Sequence, residues 1–386
     1  MRVLVASSGG AGHVTPMLPF AAACREAGHE LLLVGPPGLA SVATQHGLPF
    51  AAGALPPDTE TGPVWAQVPS LSYADSERLV VSRIFATANV GAMLPAMREA
   101  VRTWRPDVVL REPAEFASAV VAEEAGIPHV QVAIGLVEAH QMIMDLASDA
   151  LEAWWPGLVG RIAPTPYLTF FPPTLDTEPQ APWSPASRFR APEPVAAPLP
   201  DLWPGSAGED RPLLYVTFGS VAANVPMAAP IYEVALAAVA DLPARVLVTT
   251  GHGVEDGRHV APGPHVHVTA WVPQADVLPR ASLVVCHGGS GTTLGALAAG
   301  VPLVITPLFA DQPHNARRVS EVGAGVTVVP RDPEAVAGTV DPADLRRAIT
   351  DVLTDPGPRA MAGRIADEMA ALPPVADAVA VITGAA

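Results

Sequence analysis

Residues 270–315 read AWVPQADVLPRASLVVCHGGSGTTLGALAAGVPLVITPLFADQPHN. Within this stretch, 283–286 is a short apolar, β-branched run of the kind that is buried in a parallel strand. His287-Gly288-Gly289-Ser290-Gly291-Thr292-Thr293 follows at once, and apolar periodicity predicts a helix over 292–299. Strand, small-residue loop and helix N-terminus together make an anion site. Glycines admit a ligand close to the backbone, and the unpaired N–H groups at the positive end of the helix favour phosphate. A second strand, 303–306, leads to Asp311 and Gln312, in the crevice at the carboxyl ends of the strands where open α/β sheets bind ligands.

The same rhythm extends in both directions. Strands are expected at 213–218, ending in Gly219-Ser220, and at 245–249, 266–269 and 325–329; the chain is helical from 341 onward, interrupted by Pro373-Pro374. At the other end, strand 2–6 opens into the loop SSGGAGH (7–13) and a helix to about 27, closed by Gly28. Strand 30–34 follows, then strand 107–110 leading into Arg111-Glu112-Pro113, helix 117–125 closed by Gly126, and strand 130–134. Alternating strands and helices predict an α/β protein with two Rossmann-like, doubly wound parallel sheets. The Pro-rich stretch 172–211 has no sustained period and reads as the connector. The expected division is therefore a first Rossmann-like domain at 1–176, a linker at 177–211, a second Rossmann-like domain at 212–372 and a terminal helix at 373–386. Two stretches break the rhythm. Residues 54–76 are rich in Pro, Gly and Asp, and 136–160 carries Met142, Met144, Trp154 and Trp155 with few charges. Long loops in compact domains are usually functional, so the second reads as an acceptor-pocket wall, with a core helix as the equal alternative.

Composition narrows the class. The 386 residues, 49% of them apolar, suffice for two cores, and a net charge of −16 disfavours nucleic acid or anionic membrane as partners. Lysine is absent, so a Walker loop is excluded. Two distant cysteines, Cys24 and Cys286, suggest reduced core thiols in the cytoplasm. No secretory signal or uninterrupted apolar run of about 18 residues is present, so a membrane span is not expected. The oligomeric state is left open, a homodimer included.

With Trp271-Val272-Pro273-Gln274 in front, His287 and its loop in the middle and Asp311-Gln312 behind, 270–315 resembles the donor-binding region of nucleotide-sugar-dependent glycosyltransferases of the two-domain GT-B fold. Among these it is similar to the actinobacterial enzymes, of the family 1 type, that decorate antibiotic aglycones. The likeness reaches the N-terminus through Gly12-His13-Val14-Thr15-Pro16. It implies an inverting, metal-independent transfer of a (deoxy)sugar from a dTDP- or UDP-sugar to a hydroxyl of a small apolar natural product, with no cofactor.

His13 has the chemistry to deprotonate an acceptor hydroxyl, and the resemblance implies that role. Family members often place an Asp, which orients the base, at a strand end where this chain has Glu112, with Glu115 one turn on; either glutamate fits. His287 and the backbone and hydroxyls of Gly289, Ser290, Gly291, Thr292 and Thr293 are expected at the diphosphate, where fixed donors also stabilise the charge gained on departure. Ser220 reads as a second phosphate contact or, equally, a helix cap. The resemblance places Trp271 on the nucleobase face, the Val272 backbone on its edge, and Asp311 and Gln312 on sugar hydroxyls. Where plant relatives carry a ribose-binding glutamate this chain has Gly295, which favours the 2′-deoxyribose of a dTDP-sugar.

No Asp-x-Asp occurs, so the metal clamp of the other glycosyltransferase fold is missing, and His252, His259, His265 and His267 lack metal-ligand spacing. An NAD-dependent dehydrogenase is disfavoured because SGGAGH is not Gly-x-Gly-x-x-Gly and Val34-Gly35-Pro36-Pro37 holds no ribose acid. Against a silent sugar-nucleotide binder stands only His13.

Overall fold

The computed structural model describes residues 1–193, 196–199, 210–219, 222, 225–226, 228–251, 261–330 and 340–385. Two compact units result, Met1–Pro192 together with Leu372–Ala386, and Glu193–Ala371.

The first unit holds a seven-stranded sheet of β1 Arg2–Ala6, β2 Glu30–Gly35, β3 Phe50–Ala52, β4 Val108–Arg111, β5 His129–Val132, β6 Tyr167–Thr169 and β7 Ala186–Arg188. Its order is β3-β2-β1-β4-β5-β6-β7, and every pairing is parallel. The central strands are apolar runs because helices cover both faces: Val3, Leu4, Val5, Val108 and Leu110 are all fully buried. Chain order reverses between β1 and β4, which are neighbours in register, Ala6 opposite Arg111.

Three sequence expectations change here. Part of the stretch read as linker is the edge strand β7: Thr169 pairs with Arg188, whose guanidinium donates to the Phe171 and Asp176 carbonyls and to the Glu178 carboxylate. Residues 54–76 are largely helical, with helix Asp58–Trp65, a 3-10 turn Val68–Ser70, and a helix from Tyr73 whose N-cap Ser72 accepts from Asp75 N–H. That last helix continues to Trp104 through a π-helical segment, Val80–Asn89. By length and composition Tyr73–Trp104 passes for a membrane span, yet Val81, Ile84, Met93, Leu94 and Met97 pack into this unit's core. Most of 136–160 is the helix Val137–Trp154, because Val137, His140, Met144, Ala147 and Leu151 form one buried stripe at helical spacing. Asp176 accepts the Val137 N–H at its start.

The second unit holds β8 Leu213–Thr217, β9 Arg245–Thr249, β10 Val266–Thr269, β11 Ala281–Cys286, β12 Leu303–Ile305 and β13 Gly325–Thr327. All pairings are again parallel, in the order β10-β9-β8-β11-β12-β13, and chain order reverses between β8 and β11. The terminal helix Ala378–Gly384 belongs to the first unit, where Arg190 N–H also donates to the Pro373 carbonyl.

Candidate active site

In each unit the strand reversal places two strand ends side by side, which is where a doubly wound sheet binds its ligands. In the first unit β1 delivers Ser7, Ser8 and, after one short turn, His13; β4 delivers Glu112. His13 Nδ1 lies 3.2 Å from Glu112 Oε1 and 3.1 Å from Ser8 Oγ. Glu112 is fully buried and receives the Ser8 N–H at 2.9 Å, the Ser8 hydroxyl at 2.6 Å and, on Oε2, the Ala114 N–H at 2.7 Å. Burial alone raises its pKa, but the charge and hydrogen bond of His13 and the two Ser8 bonds outweigh it, and the carboxyl comes down to about 2. An ionised Glu112 accepts only, so Nδ1 is a ring nitrogen that carries a proton toward it. Phe85, on the π-helical segment, stacks on the imidazole with centroids 5.8 Å apart.

Glu115 is placed differently. Its carboxylate accepts the Ser118 N–H at 3.0 Å, capping the helix Ala117–Ala125, and burial raises its pKa. The two glutamates are separated by Arg111, which no sequence signal singled out. Fully buried, it donates to the Glu115 carbonyl at 2.9 Å, Gln131 Oε1 at 3.2 Å and the Pro113 carbonyl at 3.3 Å. These bonds pin the turn that aims Glu112 at β1 and Glu115 at the helix.

Beside Ser8 and Phe85 lies a small cavity of about 10 Å³, whose lining includes Asn89, Met93, Glu115 and Phe116. None of Met142, Met144, Trp154 and Trp155 lines it. Met144 is fully buried in the core, Met142 is half-buried, and the two tryptophans pack against the core, Trp154 donating its indole N–H to the Ala86 carbonyl at 2.8 Å. Of the two readings of this stretch, pocket wall and core helix, the helix is the one observed, its Met and Trp filling space against the π-helical segment.

In the second unit His287 follows β11 beside Gly219, which follows β8. A Cβ at Gly219, where φ is +76°, would stand 3.0 Å from His287 Nε2; one at Gly288, where φ is +87°, would stand 2.8 Å from Ile305 Cγ2. Both positions exclude side chains, so the backbone stays open to a ligand. Burial lowers the His287 pKa to about 4, so the ring is neutral and offers a hydrogen bond rather than a charge. The helix Ser290–Ala298 starts here with Gly289 as its N-cap. Its hydroxyls are partly committed: Ser290 Oγ donates to Asp311 Oδ2 at 2.6 Å, and Thr292 Oγ1 accepts from Gln274 Nε2 at 2.9 Å. Asn315 Nδ2 donates to the Gly288 carbonyl at 2.8 Å and to Asp311 Oδ2 at 2.9 Å, tying the glycine loop to the Asp311 loop. Gln312 Oε1 accepts the Leu308 and Phe309 N–H groups, so any sugar hydroxyl it reads must be read through Nε2. Ala310, just before Asp311, holds a φ of +57°, a strained value for a residue other than glycine. Trp271 is 53% exposed, and Val272 is half-buried. Ser220, His252 and His259 lie outside the described residues; among the described residues no group of three or more His, Cys, Asp or Glu side chains gathers as a metal site.

A family model described as the C-terminal domain of erythromycin biosynthesis protein CIII-like proteins matches residues 233–383, and the corresponding N-terminal domain model matches 22–154. The L-demethylnoviosyl transferase of Streptomyces niveus is 32% identical over 97% of this chain and 95% of its own length. The elloramycin glycosyltransferase ElmGT of Streptomyces olivaceus is likewise 32% identical, over 98% and 96%. Among solved structures, the Streptomyces sp. SF2575 glycosyltransferase SsfS6 complexed with thymidine diphosphate superposes with a TM-score of 0.74 at 26% identity, covering 100% of this chain and 99% of that one. Two parallel-sheet units, a matched model for each half and relatives similar along their whole length establish that the chain belongs to the erythromycin biosynthesis protein CIII-like family and is a natural-product glycosyltransferase of the GT-B fold.

Proposed function

We propose that the protein transfers a deoxysugar from a dTDP-sugar to a hydroxyl of a small apolar natural product, with inversion and without a metal. The observation that carries this reading is the His13–Glu112 pair at the ends of β1 and β4, which sets Nδ1 against the carboxylate and assigns the role of base to the other ring nitrogen, Nε2. The acceptor oxygen attacks C1 and gives its proton to His13 Nε2; the C1–oxygen bond to the diphosphate breaks and the diphosphate leaves with the electron pair. One displacement by an external nucleophile inverts the anomeric centre. The apolar side chains Phe85, Met93 and Phe116 that line the small cavity beside Ser8, with the exposed Leu55 next to them, support an apolar acceptor on this side of His13. The exposed Trp271 offers a face for a nucleobase, and the loop 287–293 offers N–H groups for the diphosphate. Buried free thiols at Cys24 and Cys286 suit a reducing, cytoplasmic setting.

The reading of the donor ribose rests on Gly295. A Cβ there would lie 3.2 Å from Leu278 Cδ1, a tight contact, and 3.5 Å from Gln274 Oε1, and glycine itself offers no carboxylate to a 2′-hydroxyl. TDP is expected to bind at least as tightly as UDP in a calorimetric titration. UDP binding tighter by tenfold, about 1.4 kcal/mol, overturns the dTDP assignment. Metal independence is tested by chelation: transfer is expected to continue at an unchanged rate in EDTA, since helix N–H groups and His287 meet the diphosphate. Loss of transfer on chelation, restored by magnesium or manganese, overturns it.

A further inference from the structure

We propose that Ser8 is a positioning residue for the base, its side-chain hydroxyl bridging Glu112 and His13 so as to fix the imidazole's tautomer and moderate its basicity. The proposal rests on His13 acting as the base.

Three donors converge on Glu112 Oε1: the Ser8 N–H at 2.9 Å, the Ser8 hydroxyl at 2.6 Å and His13 Nδ1 at 3.2 Å. A hydroxyl has one proton, and at 2.6 Å from an ionised carboxylate that proton is committed to Oε1. Toward His13 Nδ1, 3.1 Å away, Ser8 Oγ can therefore only accept. The Nδ1 proton thus faces two acceptors, Ser8 Oγ and Glu112 Oε1, while Phe85 holds the ring face. The other tautomer would set an Nδ1 lone pair against the carboxylate and is disfavoured.

Ser8 also shares the negative charge that would otherwise act on the imidazolium alone. The neighbouring ionisable groups are committed elsewhere. Arg111 donates to backbone carbonyls and Gln131, the Glu115 carboxylate accepts from Ser118, and His140 on the helix Val137–Trp154 is buried and neutral. Glu112 and Ser8 are thus the side chains placed at Nδ1 of His13, in the field of Arg111 and Glu115 behind them. Removing the hydroxyl leaves a carboxylate with one fewer donor, which holds the imidazolium more strongly and raises the pKa of His13.

The test combines an NMR titration of the His13 imidazole in the full-length protein with the pH profile of single-turnover transfer. Parent, Ser8→Ala, Ser8→Cys, Ser8→Thr and His13→Ala proteins are compared, using a dTDP-sugar and an acceptor found by screening. Ser8→Ala is expected to raise the His13 pKa by roughly half a unit or more and to slow transfer about tenfold at neutral pH, with partial recovery at higher pH. Ser8→Cys keeps the volume but hydrogen-bonds weakly, so it should behave like Ser8→Ala, whereas Ser8→Thr keeps the hydroxyl and should restore the parent values. Unmoved titrations in Ser8→Ala and Ser8→Cys, or a shift that Ser8→Thr does not reverse, overturn the proposal. His13→Ala transferring at the parent rate overturns the underlying base assignment instead, and the imidazole titrations separate the two failures because they do not depend on turnover.

Discussion

His13→Ala is expected to lower the rate of sugar transfer by roughly 10² to 10⁴ while leaving nucleotide affinity intact, the usual signature of a lost general base. Glu112 and Ser8 both engage Nδ1, so the base assignment falls on Nε2, and alanine has nothing to put in its place. The groups assigned to the nucleotide, Trp271, the loop 287–293 and Asp311, all belong to the second compact unit, and TDP affinity is therefore expected to survive the loss of His13. The measurement is single-turnover transfer alongside a TDP titration. Transfer at the parent rate from pH 6 to 9 would overturn the base assignment, and a large loss of TDP affinity would show that the ring has another role.

Glu112→Gln should be almost as damaging, and in two ways. Glu112 Oε1 faces three donors and Oε2 faces the Ala114 N–H, so an amide NH₂ meets another donor whichever way the side chain is turned. The amide also cannot stabilise an imidazolium as a carboxylate does, and transfer is expected to fall roughly 10²-fold or more. Stability changes in a pH-dependent manner. The folded pKa of about 2 lies below the ordinary 4.5, so the carboxylate stabilises the fold above pH 4.5, and this contribution, roughly 3 kcal/mol, is lost as pH falls from 4.5 toward 2. Urea unfolding at neutral pH and at pH 3 checks this: the parent should weaken on acidification by more than Glu112→Gln does. Variant transfer within threefold of the parent, or identical acid sensitivity of the two proteins, would remove Glu112 from the mechanism.

The elements that proved legible are those whose signal is local. β9 and β10 have the expected limits, and β11 with the helix Ser290–Ala298 falls within two residues of them, because an apolar β-branched run, a glycine loop and a helical period are all written in consecutive residues. The stretch 136–160 left two readings open, a pocket wall and a core helix, for a related reason. Its buried stripe includes His140 and small alanines beside the bulky Met and Trp, so local residues did not separate the two. β7 was hidden by prolines, since an edge strand pairing on one side tolerates a composition that a central strand does not.

From residues alone came the alternation of strand and helix, two parallel sheets, the glycine loop at 287–293 as a candidate anion site and, with the family resemblance, His13 as the candidate base, because each is carried by neighbouring residues or a short loop. Which glutamate meets His13 was not written locally: Glu112 and Glu115 stand three residues apart, and the choice depends on β4 lying beside β1 with Ala6 opposite Arg111, and on Arg111 pinning the intervening turn. Ser8 and Glu112 are 104 positions apart in the chain, and the cavity gathers Pro36, Ala54, Phe85 and Phe116 from separate loops and helices. Such contacts follow from strand order and from the direction in which each side chain leaves its backbone, and these exist only once the sheet has formed and buried its faces.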